Sequence, residues 1–451
     1  MKILMAPVNI SGMPLTLVKG LRNIGVDARL LQFARGQAHK FGYDSDIVIQ
    51  FGKEPAAVTR LDALAKSFDE GYDLYHFWLR TMVFGPRFTG MMGLDLPFIK
   101  LRKKSIVYRF TGMDLRDRVI DLKENPFSPF RYGYEGITED EDKIRRLYID
   151  YLSCYVDQFL VQDPELQQYM PNAKIIERAI DLDIWKNVGI SENGRPLIVH
   201  GPSNKEIKGT SFVLKACEEL RDEGLIFDLK LVHGVSHAEA VSWYKKADAI
   251  IDQLHIGAYG VLAVEAMALG KPVLCYIRDD LYSKRYGEMP IINCNPLNIK
   301  EKIRYVIKDY EFRKEFSVKG RAFVEKYHDV NVVAPRLKEI YENTMRNHKS
   351  VNTSNVDLRF IGMQYGGLES DIMKLRVSLR KKEAQNALLI KKYNDSMENY
   401  ALFKGSVRSK IRESYLKGLS ANPRKARGLL SLNQYNLIFR KLVGFFMRNK
   451  D

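Results

Sequence analysis

Residues 247–276 read ADAIIDQLHIGAYGVLAVEAMALGKPVLCY, and the order of its parts decides the fold. The apolar run at 249–251 reads as a buried parallel strand, and residues 261–269 have a helix composition that ends at the stop signal Gly270. Between them, Gly257 and Gly260 free the loop backbone. A strand, a glycine loop and a helix in that order aim backbone N–H groups and the positive helix end at an anion. The amides of Ala258, Tyr259 and Gly260 are the candidates for that contact. Glu265, about one turn into the helix, can accept two hydroxyl hydrogen bonds, which is what a ribose diol offers. A nucleotide is the simplest ligand that carries both groups.

The same alternation extends outward. Residues 2–6 read as a first strand, followed by a loop with Gly12, a helix over 14–25 and a strand over 29–33. Strands at 74–77, 105–110 and 158–161 alternate with helical stretches, among them 140–154. A second series starts at Pro196, with a strand at 197–199, a helix at 210–220, a strand at 227–232 and a helix at 237–246 before the glycine loop. Two consecutive βα series predict the α/β class, with two Rossmann-like, doubly wound domains facing across a cleft.

A chain of 451 residues suits two such domains with an appendage, and 45% hydrophobic content is that of a globular protein. The cysteines Cys154, Cys217, Cys275 and Cys294 are far apart and show neither metal nor disulfide spacing, which fits a reducing compartment. The opening MKILMAPV is broken by Pro7 and Asn9 before a signal-peptide core can form. No apolar run of about 18 residues is long enough to span a bilayer. A cytoplasmic location follows as the expectation. The net charge of +16 is uneven, because residues 351–451 hold 20 of the 71 lysines and arginines against 8 of the 55 carboxylates. The body is nearly balanced, and an anionic partner is expected for the tail.

Gly260, Glu265, Ala266, Ala268, Gly270, Lys271 and Pro272 closely resemble the donor-sugar site of retaining glycosyltransferases with the GT-B fold, family 4 in particular. That family shows two glutamates with seven residues between them, the first near the sugar and the second on the nucleotide ribose. Glu265 matches the second, and the first falls on Gly257. Lys208-Gly209, in HGPSNKEIKGT, matches the family's phosphate-contacting Lys-Gly. The family's arginine five residues before that lysine is Ser203 here, and Lys205 is its candidate substitute, as a point charge in place of a fork. Taken alone both lysines read as solvated loop residues, and it is the downstream signature that favours the phosphate reading for Lys208. The resemblance covers residues 1–348 and implies an N-terminal acceptor-side domain over 1–180, a donor domain over 181–325 and a helix over 326–348 returning to the first domain. The basic tail, 349–451, lies beyond it.

Gly12, in SGMPL, fits a close approach of backbone to phosphate or sugar, or simply a turn. Asp114 and Arg116, in YRFTGMDLR, match an element that related enzymes carry at the mouth of the acceptor side. His76, in LYHFW, ends an apolar strand where α/β sites lie, and reads either as catalytic or as a satisfied core residue. Asp181 and Asp183, in IIERAIDLDIW, resemble the interdomain passage of GT-B enzymes, where such aspartates cap the following helix. Histidine spacing offers no metal site and there is no Walker A sequence, so neither a metal nor a resident cofactor is expected.

In the tail, Tyr435, Ile438, Phe439, Leu442, Val443 and Phe446 form one helical apolar stripe flanked by Arg440, Lys441, Arg448 and Lys450. Residues 424–451 read as an interfacial anchor on an anionic membrane surface, or as a helix that docks on protein. The whole resembles a metal-independent glycosyltransferase moving a sugar from a nucleotide diphosphate to a glycan or lipid-linked acceptor, with surface polysaccharide or glycolipid assembly as the setting. The rival reading is a non-catalytic nucleotide-binding module recruiting partners through its tail, favoured by Gly257. Nucleic acid is not expected as a partner, since no RNA-binding module is recognisable.

Overall fold

The computed structural model describes residues 1–34, 44–51, 56–83, 93, 95–134, 137–192, 194–349 and 351. The apolar stripe of the tail and the basic residues that flank it lie outside the described residues.

The first domain is built on β1 (Lys2–Ala6), β2 (Asp27–Phe33), β3 (Ile47–Ile49), β4 (Leu74–Trp78), β5 (Ser105–Arg109), β6 (Gln158–Val161) and β7 (Lys174–Ile175). They form one parallel sheet in the order β3-β2-β1-β4-β5-β6-β7. Every residue of β4 and of β5 is buried, because helices cover both faces of a parallel sheet. The strand order reverses between β1 and β4, so a crevice opens at their carboxyl ends. Helix α1 (Met13–Asn23) follows β1 and buries Leu17, Val18 and Leu21 on that sheet.

The second domain carries β8 (Leu197–His200), β9 (Asp228–Leu231), β10 (Ala249–Ile251), β11 (Val273–Cys275) and β12 (Ile292–Asn293), parallel in the order β12-β11-β10-β8-β9. Helices α2 (Thr210–Asp222), α3 (His237–Lys246) and α4 (Val261–Ala268) alternate with them. Here the order reverses between β10 and β8. The loops after those two strands are the Lys208 loop and the glycine loop, so both sequence motifs stand at the reversal.

The returning helix read near 326–348 is two elements, α5 (Tyr310–Tyr327) and α6 (Val330–Arg346). The chain breaks at His328–Asp329. His328 is fully buried, its Nδ1 bonded to Arg178 O at 2.7 Å and its Nε2 to the Tyr259 hydroxyl at 3.0 Å, while Asp329 caps α6 by accepting the Asn331 N–H. Ile180 pairs with the backbone at the same break, so both crossings between the domains are joined there. Helix α6 then packs on α1 so closely that a Cβ at Gly20 would collide with Val330.

Candidate functional site

A cavity of about 590 Å³ lies between the two reversals and is walled by both domains. The first domain supplies Ser11 from the loop after β1 and Met13 from the start of α1, Arg80 from the loop after β4, and Thr111, Asp114 and Arg116 from the loop after β5. The second supplies Ser203, Ile207 and Lys208 from one loop, and Tyr259, Gly260 and Val261 from the other. Ser11 (φ 52°) and Leu79 (φ 63°), both on the cavity wall, hold left-handed backbone that costs a non-glycine residue, and Gly12 (φ 70°) takes the same conformation freely at the start of α1. Gly12 thus serves the turn that presents Ser11 and Met13.

Asp114 is half-buried on the cavity wall and accepts the Thr111 and Gly112 N–H groups at 3.0 and 2.6 Å. Burial raises its carboxyl above the ordinary range, and those amides hold it back in part. Arg116 makes a bidentate pair with buried Glu165 at 2.8 and 2.7 Å. Sequence reasoning missed Arg178, which is 4% exposed at the cavity, pairs with Asp163 at 2.7 Å and stacks its guanidinium over the Tyr259 ring at 5.2 Å.

Lys208 ends the helical turn Lys205–Lys208 and lies at the cavity, with its Nζ 2.5 Å from Asp252 Oδ1. Asp252 Oδ2 accepts the Gly260 N–H at 2.5 Å, and Asp252 is fully buried. One carboxylate therefore joins the two motifs. This changes the expected loop chemistry at Gly260, whose amide is already occupied; Ala258 is buried, and its carbonyl accepts from Gln253 Nε2 and Cys275 Sγ. The Tyr259 hydroxyl is also taken, by His328, although its ring borders the cavity. The position of Asp252, one residue past β10 at the reversal, was a legible signal.

Two further expectations need correction. The structure places Lys205 exposed on the solvent side of its turn, and it is not among the described residues lining the cavity. Asn204 caps that turn, which rotates Lys208 inward and Lys205 outward. His76 is a core residue: fully buried between β4 and α6, it meets the Tyr341 hydroxyl at 2.6 Å and lies beside Trp78. Burial, with Arg109 nearby, lowers its pKa well below the ordinary histidine value. A strand with both faces covered leaves its alternate residues no solvent side.

Glu265 sits in α4 with its carboxylate 3.9 Å from His237 Nε2 at the start of α3, and is not among the residues lining the main cavity. Burial raises its pKa and His237 opposes that, while Glu265 raises the pKa of His237. Gly257, at the expected first glutamate, is left-handed (φ 76°), and a Cβ there would come within 2.7 Å of Arg278 Cγ. The Arg278 side chain, paired with Asp280 and Gln168, fills the adjacent space. Asp181 Oδ1 accepts the Asp183 N–H in a turn of the interdomain passage, and among the described residues no helix starts there for it to cap.

Two doubly wound parallel sheets with their reversals facing one cavity make up the GT-B fold. No family model matches the chain. Over 206 residues it is 23% identical to an uncharacterized glycosyltransferase of Methanocaldococcus jannaschii, a match covering 44% of this chain and 58% of that protein, so it spans less than two thirds of the relative. Among solved structures, HepE of Anabaena in complex with UDP-glucose superposes with a TM-score of 0.51 at 14% identity, over 76% of this chain and 100% of that one. Sucrose-phosphate synthase of Thermosynechococcus elongatus gives 0.50 at 14% identity, over 76% and 98%. The catalytic domain of starch synthase IV of Arabidopsis thaliana, bound to ADP and acarbose, gives 0.50 at 11% identity, over 77% and 99%.

Proposed function

We propose that this protein is a glycosyltransferase that takes a sugar from a nucleotide diphosphate and passes it to an acceptor bound by the first domain. The observation that carries the reading is the single cavity at both strand reversals, with Lys208 and the start of α4 on one wall and Asp114 on the other. Lys208 stabilises the diphosphate as its charge grows, and Glu265 accepts the ribose hydroxyls. The likeness to proteins solved with UDP-glucose and with ADP supports a nucleotide-sugar donor. Transfer with retention and without a metal, a glycan or lipid-linked acceptor in surface polysaccharide or glycolipid assembly, and a cytoplasmic, membrane-peripheral location complete the proposal. No helix among the described residues is long and apolar enough to cross a membrane.

The test is hydrolysis and thermal stabilisation with UDP-, GDP- and ADP-sugars, in buffer with EDTA, for the full chain and for Glu265→Ala. One nucleotide series should stabilise the protein and be turned over, and the variant should bind it about tenfold or more weakly, ~1.4 kcal/mol. Binding without turnover on any acceptor would select the non-catalytic module, and unchanged affinity in the variant would remove Glu265 from the ribose.

A further inference from the structure

Lys208 can serve a diphosphate only if its ammonium is held where the cavity begins. A lysine side chain has four rotatable bonds and no intrinsic reason to stay there. Several features around Asp252 answer that need. Its carboxylate is fully buried and is not itself part of the cavity wall, so it stands behind Lys208 as seen from the cavity. It is bidentate in effect, with Oδ1 at 2.5 Å from Lys208 Nζ and Oδ2 at 2.5 Å from Gly260 N. Its own N–H is fixed to Leu274 O at 2.9 Å, so the carboxylate projects from the sheet and not from a loose loop. A Cβ added at Gly260 would come within 2.8 Å of Asp252 Oδ2 and 3.2 Å of Lys208 Nζ. Glycine at that position is therefore what lets the three groups meet.

We infer that Asp252 is a positioning residue for the donor diphosphate, a buried carboxylate that ties Lys208 and the glycine loop into one rigid cradle, and this rests on the donor reading given above. An ammonium has three N–H groups; Asp252 takes one and leaves the others for phosphate oxygens in the cavity. Simple charge counting points the other way. Removing a carboxylate beside an anion site should strengthen anion binding, whereas removing the tether should weaken it. The two accounts differ in sign.

The experiment titrates inorganic pyrophosphate, and UDP, ADP and GDP each against its nucleoside, into the full-length wild type, Asp252→Asn, Gly260→Ala, Lys208→Ala and the Asp252→Asn/Lys208→Ala double variant, with melting curves for each. The expected result is a loss of tenfold or more in diphosphate affinity for both Asp252→Asn and Gly260→Ala. Nucleoside affinity stays unchanged, and Asp252→Asn adds no further loss to Lys208→Ala. Folded Asp252→Asn that binds diphosphate as well as or better than wild type overturns the inference. If Asp252→Asn does not fold, Gly260→Ala decides, and wild-type affinity in that variant overturns it too. Failure of the wild type to bind any of these nucleotides rejects the donor reading itself and this inference with it.

Discussion

Glu265 and His237 form a half-buried pair whose two pKa values are both raised, the carboxyl chiefly by burial and the imidazole chiefly by the carboxylate. On the proposed reading Glu265 accepts two ribose hydroxyls, and only the ionised carboxylate offers both oxygens purely as acceptors. Nucleotide affinity should therefore be level at high pH and fall as pH drops through the raised Glu265 value, earlier than for an ordinary glutamate. His237→Ala removes the charge that favours ionisation, so the fall should begin at still higher pH. Calorimetric titration between about pH 5 and 8 checks this, and an unmoved midpoint in the variant counts against the pair. Glu265 stands at a readable place in the sequence, one turn into the helix after the glycine loop. His237 opens a helix some thirty residues upstream, and no local pattern tells that it meets α4.

The glycine loop before α4 differs from the resembling family at Gly257, and the backbone explains why a glutamate is excluded there. Gly257→Glu must hold a left-handed conformation and displace the methylenes of Arg278. It should lower stability by about 1–3 kcal/mol in chemical denaturation and bring no gain in sugar transfer. Most strands and helices around this loop were legible, because parallel strands buried on both faces are continuous apolar runs and the helices between them keep a 3.6-residue period. Strand β10, helix α3 and strand β6 have the bounds the pattern gives. The break between α5 and α6 was not legible, since the apolar period continues across it. What ends α5 is the burial of His328 against Arg178 and Tyr259, which are remote in sequence.

Across the whole molecule the two domains are joined where the crossings meet. Glu177 is fully buried there, 2.7 Å from both Arg285 of the second domain and Arg336 of α6. Burial pushes its carboxyl up, but Arg336 and Arg285 outweigh that and leave it below the ordinary value. A depressed carboxyl contributes stability that is complete above its unfolded pKa and is lost as pH falls through the lower folded value. Glu177→Gln should cost on the order of 1–3 kcal/mol at neutral pH, given that both guanidinium groups keep some contact with water. It should also flatten the stability profile on the acid side, and denaturation curves at neutral and acid pH measure both effects. Elsewhere between the domains the Asn125 amide donates to His255 O at 2.8 Å and Tyr132 packs on the His255 ring, a contact that sequence distance concealed.

The two βα series and the glycine loop are legible along the chain, because each follows from a local period or a short-range spacing, while Lys208 is pointed to by the family resemblance and Glu265 by its place one turn into the helix. Packing between distant segments settles that His76 is core, that Lys205 faces solvent, and that Asp252 holds the Lys208 ammonium and the Gly260 amide together. Those outcomes depend on which side of a covered sheet or helical turn a side chain takes, and on partners brought close by the fold. Such pairings are set by packing between remote segments, which leaves no local pattern along the chain.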